Sequence, residues 1–156
     1  YGPIVASAAG IRYFTLRQTW DPGAKYLPAS REKLVSGKQR ARVKGGLCVS
    51  TDSQRMDRTT TTIDTVFAPE RDGLAGWLYR IGPKQTCTLP DPAKGGGQYL
   101  VVASGTMVSD SVEYARHSVA FVPPDETAFP GIAGATGLDL LVLQFPVGPS
   151  KAKPAA

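Results

Sequence analysis

Few of the 156 residues carry side chains suited to catalysis or metal binding, and their types narrow the possible chemistry. There is one histidine, His117, and there are two cysteines, Cys48 and Cys87. A first-row metal held by the two-histidine facial arrangement needs a second imidazole, which the chain lacks. Cys87 would be a nucleophile only with a base to take its proton; no histidine is placed to do so, and an inert core thiol is the plainer reading. His117 reads as a surface or turn histidine rather than a general base. Asp125 and Glu126 are adjacent, and neighbours on an extended chain face opposite ways, so they do not converge on one substrate. Gly95-Gly96-Gly97 lacks the following Lys-Ser/Thr and helix of a phosphate cradle and reads as a flexible loop. Trp20, Trp77, Tyr79 and Tyr99 either line a cavity or fill a core. Two cysteines without CxxC spacing make no disulfide framework; a single Cys48–Cys87 bridge stays open. These residue types call for no cofactor.

The charge is uneven. The net charge is +5, and residues 25–58 hold nine basic residues against Glu32, Asp52 and Asp57, a local +6. Arg31, Lys33, Lys38, Arg40, Arg42 and Lys44 form the centre of this basic stretch. It could meet phosphates or an acidic partner, or simply face water. No RNA-binding, helix-turn-helix or zinc-finger pattern accompanies it, so nucleic acid is not the expected partner.

These residues must be positioned by a β-rich scaffold. Glycine (17) and proline (13) are plentiful, which favours many short strands joined by turns. A chain of this length can bury roughly 68–70% of its unfolded surface and needs no metal or disulfide to fold. No stretch reaches the roughly 18 apolar residues of a membrane helix. The chain opens on Tyr1 with no charged-then-apolar leader, so a start within a longer product and a cytoplasmic location are the default expectations.

Ile11–Trp20 alternates and reads as a strand, closed by Asp21-Pro22-Gly23. Ser30 could cap a short helix over Arg31–Val35, stopped at Gly37. Val43–Thr51 reads as a possible strand and Asp52–Arg58 as a polar turn. Thr59–Phe67, Leu74–Ile81, Gln85–Leu89 and Gln98–Ala103 read as strands, followed by short ones near Thr106–Val108, Ser111–Tyr114 and Ser118–Val122. Leu138–Phe145 has the strongest core pattern. About nine or ten strands with at most one or two short helices predict an all-β sandwich or closed barrel. One domain is expected over residues 1–148, with residues 149–156 a disordered tail.

Residues 82–145 resemble the cupin family. Its first motif, G-x5-HxH-x3,4-E-x6-G, is similar to the run from Gly82 to Gly105: Gln98 stands at the glutamate and keeps the six-residue spacing to Gly105, while Thr88 and Pro90 stand at the two histidines. Seven residues separate Pro90 from Gln98, so the glycine loop reads as an insertion. The second motif, G-x5-PxG-x2-H-x3-N, is similar to the run from His117 to Ile132. There Pro123 is the proline, Asp125 stands at the glycine, Ala128 at the histidine and Ile132 at the asparagine. The resemblance implies an all-β cupin-like jelly-roll barrel with extra N-terminal strands. It also implies a homodimer, with the N-terminal region as a candidate exchanged arm.

The same resemblance places the family's metal ligands on Thr88, Pro90, Gln98 and Ala128. Proline and alanine donate nothing, and neutral threonine and glutamine oxygens are weak ligands, so no metal site is expected. Tyr79, Cys87, Thr88, Gln98 and Ala128 are the candidates for lining a ligand cavity. Three functions compete. The first is a non-enzymatic module that binds a small organic ligand or serves assembly. The second is a metal-independent isomerase or epimerase, its acid–base work falling to some of Tyr79, Gln98, Cys87, Tyr99 or a carboxylate such as Asp139. The third is a basic binder using residues 25–58, whose binding would fall steeply with salt.

Overall fold

Strands that are covered on both faces lose strict alternation, and the two longest runs of this chain show why. A computed structural model describes residues 5–18, 28–33 and 42–148. Among them the chain forms seven strands: β1 (Thr62–Phe67), β2 (Ala75–Ile81), β3 (Thr86–Thr88), β4 (Gln98–Ser109), β5 (Val112–Tyr114), β6 (Val119–Val122) and β7 (Pro130–Gln144). One short helix, α1 (Asp52–Met56), precedes them, and single 3-10 turns lie at Arg31–Lys33 and Pro92–Lys94. All strand pairings are antiparallel, in the order β1-β2-β7-β4-β5, with β3 added to β7 and β6 to β4. The protein is therefore all-β, as expected. No helix among the described residues is long and apolar enough to cross a membrane.

β4 and β7 each serve two sets of neighbours. The start of β7 pairs with β3 (Thr86 opposite Ile132), and its second half lies between β2 and β4, where Leu140 faces both Tyr79 and Val102. β4 takes β6 at its start (Leu100 opposite Ala120) and β5 at its end (Met107 opposite Tyr114). Ile81, Leu100, Val102, Leu138, Leu140 and Val142 are fully buried and form the centre of the core with Tyr79, Leu89, Met107, Val122 and Ala133. Each buried Val, Leu, Ile or Met among them stabilises the fold by roughly 1.5–3 kcal/mol relative to exposure.

Gly105 lets β4 continue across the gap between Gln98–Ala103 and Thr106–Val108, which the sequence reads as separate strands. Its φ is +75°, a conformation that costs an L side chain, and a Cβ there would strike the Gly137 carbonyl. The result is a register shift inside one strand rather than two strands separated by a turn. β7 likewise starts at Pro130, eight residues before the expected strand, because β3 supplies a partner for its first residues. The fusion in β4 is part of why the described residues form seven strands where the sequence predicts nine or ten.

The N-terminal expectations change more. Residues 11–18 pair with no strand among the described residues. They are held by single bonds instead: Tyr99 Oη donates to the Arg17 carbonyl (2.8 Å), Gln18 Nε2 to the Pro146 carbonyl (2.8 Å), and Arg12 Nη1 meets His117 Nδ1 (3.0 Å). Residues 43–50 are also not a strand, and Val43 is 92% exposed. The expected turn at 52–58 is α1. Thr51 caps it, its hydroxyl accepting from the Gln54 N–H while the Gln54 side chain accepts from the Thr51 N–H. A five-residue helix cannot persist by its own propensity. Arg55 anchors this one, donating to the Thr136 carbonyl (2.9 Å) and Ser104 Oγ (2.6 Å). The glycine loop is packed rather than loose: a Cβ on Gly95 or Gly96 would strike the Phe145 or Pro146 carbonyl. Its glycines provide close approach, not only freedom. The expected helix end at Val35–Gly37, the turn at Asp21-Pro22-Gly23 and the tail at 149–156 lie outside the described residues.

Candidate functional site

β5 and β6 cover opposite ends of the same edge of β4, and the gap between them opens the core. β6 pairs with residues 98–101 of β4 and β5 with residues 107–109. Between these runs only Val102 bonds the crossing chain, through the Ser118 carbonyl and the His117 N–H. That crossing is tight, with His117 at positive φ, as are Asp110 and Ser111 in the turn between β4 and β5. A cavity of about 210 Å³ lies here. Its apolar wall is Met107, Val119, Ala120 and Phe129, and three hydroxyl-bearing residues, Ser109, Tyr114 and Ser118, complete it. Met107 belongs to the core, and Ala120 and Phe129 pack against it, so the cavity is an extension of the hydrophobic interior.

Among the described residues, no Asp, Glu, His, Lys or Arg lines this cavity. Ser118 is half-buried, and its hydroxyl bonds no other described residue; its backbone is used instead by Val102 and Ala115. Ser109 Oγ lies 3.4 Å from the Asp110 carboxylate, a long contact at an exposed turn. The surface can therefore enclose an apolar body and offer hydroxyl hydrogen bonds, but it holds no facing acid and base.

The five residues expected to line a cavity are not assembled around this one. Tyr79 is buried in the core, and burial foremost, then the neighbouring Cys87, pushes its phenol above the ordinary range. Cys87 is half-buried against the same core, and burial raises its thiol. A raised thiol is a weak nucleophile near neutral pH. Thr88 is exposed, opposite Pro130. Ala128 is partly exposed and only its neighbour Phe129 reaches the cavity.

Gln98 is fully buried and committed to packing. Its Nε2 donates to the Pro90 carbonyl (2.9 Å) and to Gln144 Oε1 (3.0 Å), and Gln144 Nε2 in turn donates to the Gly73 carbonyl (2.6 Å). Gln98 Oε1 has no partner among the described residues. Exchanging the Gln98 oxygen and nitrogen would set acceptor against acceptor at both contacts, so the chain of amides fixes the orientation. The four positions that the sequence resemblance aligns with metal ligands consequently do not fit a metal. Thr88 faces out, Pro90 and Ala128 have no donor, and Gln98 is engaged with its neighbours.

Asp139 is a structural carboxylate. It is fully buried and accepts from Ser50 N–H, Ser50 Oγ (3.0 Å), Arg58 Nη1 (3.1 Å) and Arg80 Nη1 (3.4 Å). Four donors saturate a carboxylate, leaving no lone pair for a substrate proton. Arg80 also bonds the Cys48 carbonyl (3.0 Å) and Asp64 (3.0 Å), so the cluster clasps residues 48–58 to β2 and β7. In the sequence Asp139 is only one carboxylate among several. Its role depends on Ser50 and Arg58, far away in the chain.

The basic stretch is partly spent in the same way. Arg42 pairs with Glu70 (2.7 Å), Arg55 with Asp52 (2.9 Å) and Arg58 with Asp139. Arg31 and Lys44 are exposed, and Lys33 ends the first 3-10 turn. Lys38 and Arg40 lie outside the described residues. Both cysteines are free thiols, Cys48 exposed and Cys87 half-buried.

No protein-family model matches the chain, and no curated protein matches it. Two solved structures are similar, both of unknown function. One is from Rhizobium leguminosarum bv. viciae, with 14% identity over 65% of this chain and 98% of that one and a TM-score of 0.40. The other is a conserved protein from Streptococcus pyogenes, with 16% identity over 72% of this chain and 100% of that one and a TM-score of 0.42.

Proposed function

We propose that this chain is a non-enzymatic module that binds a small organic ligand in a cupin-like jelly-roll barrel whose metal positions have been given over to packing. The observation that carries the reading is the cavity between β5 and β6, continuous with the core and with no acid–base pair among the described residues that line it. A filled interior would favour a purely structural role, and two facing ionisable groups would favour an isomerase; this cavity has space and lacks the groups. The cupin-like part is supported by the motif glycines. Gly105 stands at positive φ against the Gly137 carbonyl, and a Cβ on Gly82 would strike the Arg58 carbonyl. The polar residues that an isomerase would need are engaged elsewhere, Gln98 with Gln144 and Asp139 with two arginines.

A homodimer accompanies this reading. β1 stands at the end of the strand order, and Ile63 is 52% exposed although its cross-strand partner Tyr79 lies in the core. A β-branched strand at the end of the sheet with an exposed Ile63 offers a surface for a second chain. Light scattering at low concentration reads the mass.

The ligand reading is tested by a fragment screen with ligand-observed NMR on the wild type and on Ala120→Leu, which fills the cavity. Hits that bind the wild type and vanish in a folded variant support it. Hits indifferent to the variant, or a stoichiometric transition metal found by elemental analysis, would overturn it.

A further inference from the structure

Resting on the small-ligand reading, we infer that the cavity between β5 and β6 takes a neutral, single-ring aromatic alcohol whose hydroxyl is bonded by Ser118. Size comes first. The cavity measures about 210 Å³. An apolar protein cavity of about 150 Å³ accepts benzene, so this one holds a ring with about one or two further heavy atoms. A drug-sized molecule, whose pockets run from roughly 300 Å³ upward, would extend beyond it into solvent.

Charge comes second. Among the described residues neither a carboxylate nor a cationic side chain lines the wall, so an ionised ligand would shed its hydration with none of them to replace it. The nearest carboxylates are used or turned away. Asp110 sits at an exposed turn beside Ser109, and Glu113 lies near Gly134, where a Cβ would meet its Oε1. Aromatic character follows from Phe129 and Met107, a ring and a thioether that both favour an aromatic partner.

The polar contact is then assigned by elimination within the wall. Ser109 is drawn toward Asp110, and Tyr114 is 39% exposed at the mouth. Ser118 is half-buried with its hydroxyl uncommitted to any described residue, and a hydroxyl can both donate to and accept from a ligand hydroxyl.

The test is a calorimetric titration of the full chain with 4-methylphenol, toluene, cyclohexanol, 4-methylbenzoate and 4-methylbenzylammonium. 4-Methylphenol should bind at least tenfold more tightly than either ion and several-fold more tightly than cyclohexanol. Ser118→Ala should weaken 4-methylphenol about three- to tenfold while leaving toluene unchanged, as expected for one hydrogen bond. Phe129→Leu, which keeps apolar volume, should weaken both aromatic probes alike. An ion binding as tightly as 4-methylphenol, cyclohexanol binding as tightly, or Ser118→Ala weakening toluene equally would overturn the inference and leave the small-ligand reading intact. The inference alone also falls if none of the five binds while the fragment screen yields other ligands sensitive to Ala120→Leu. Silence in both experiments overturns the two together.

Discussion

Arg58 Nη1 lies 3.1 Å from Oδ1 of Asp139, a carboxylate with no solvent exposure at all. The pair joins the end of the α1 segment to the middle of β7. Ser50 and Arg80 complete the carboxylate's hydrogen bonds, so its burial is compensated at every lone pair. Removing one side of such a pair leaves the other buried and uncompensated, at a cost of about 3–5 kcal/mol. Asp139→Ala should lower stability by that amount in urea unfolding, with the slope m unchanged. A loss under about 1 kcal/mol would show that the clasp is not structural.

Two glycine substitutions should behave oppositely. Gly105→Ala meets both a left-handed backbone and the Gly137 carbonyl, and should cost about 2–4 kcal/mol. Gly45→Ala has open space and an ordinary φ, and should stay within about 0.5 kcal/mol of the wild type. Paired thermal melts read the difference. Equal effects would contradict the placement of Gly105 in β4.

Placing a carboxylate at the buried amide of Gln98 should harm this protein. In Gln98→Glu a carboxylate replaces an amide that donates to the Pro90 carbonyl and Gln144 Oε1. The charged form would face two acceptors without water, costing roughly 2–4 kcal/mol at neutral pH. The introduced carboxyl is thereby raised above its unfolded value, so the variant should regain stability as pH falls and the proton supplies a donor. A variant equally destabilised at pH 4.5 and pH 7.5 would refute the cause. No gain in metal affinity is expected.

Alkaline pH should destabilise the wild type through two neutral groups. Burial raises the Cys87 thiol above its ordinary 9.0, and burial together with Cys87 raises the Tyr79 phenol above 10.0. The unfolded chain therefore releases these protons first. The stabilisation from keeping them is complete below about pH 9 and is lost as pH climbs through the raised values. Cys87→Ala should flatten the stability curve first, beginning near pH 9, and Tyr79→Phe should flatten it about a unit higher. In the native protein, Cys48 should react with a thiol reagent well before Cys87, since it is exposed and Cys87 is not. Equal labelling rates would count against the burial of Cys87.

The strands of the C-terminal half are legible in the sequence because their signals are local. Gln98–Ala103 and Leu138–Phe145 carry β-branched and aliphatic runs bounded by Gly and Pro, and they coincide with β4 and β7. The Thr51-x-x-Gln54 box is equally local and signals α1, yet the polar composition of 52–58 reads as a turn. Ile11–Trp20 misleads in the other direction. Alternation describes a chain that can sit on a sheet, and residues 11–18 instead hold on through Arg12, Arg17 and Gln18, outside any ladder.

Taken alone, the sequence established an all-β chain and too few imidazoles for a two-histidine metal centre. Those follow from residue types, short spacings and counts, which need no knowledge of what lies across the fold. Tertiary structure decided which side chains meet. Phe129 reaches a wall built by Met107, Ser118 and Ala120, and Asp139 finds Arg58 across 81 residues. Strand pairing brings such residues together, and the covering of each face depends on every other strand. Dihedral preference is written in neighbouring residues, whereas an enclosed space or a saturated carboxylate exists only when distant segments arrive from several directions at once.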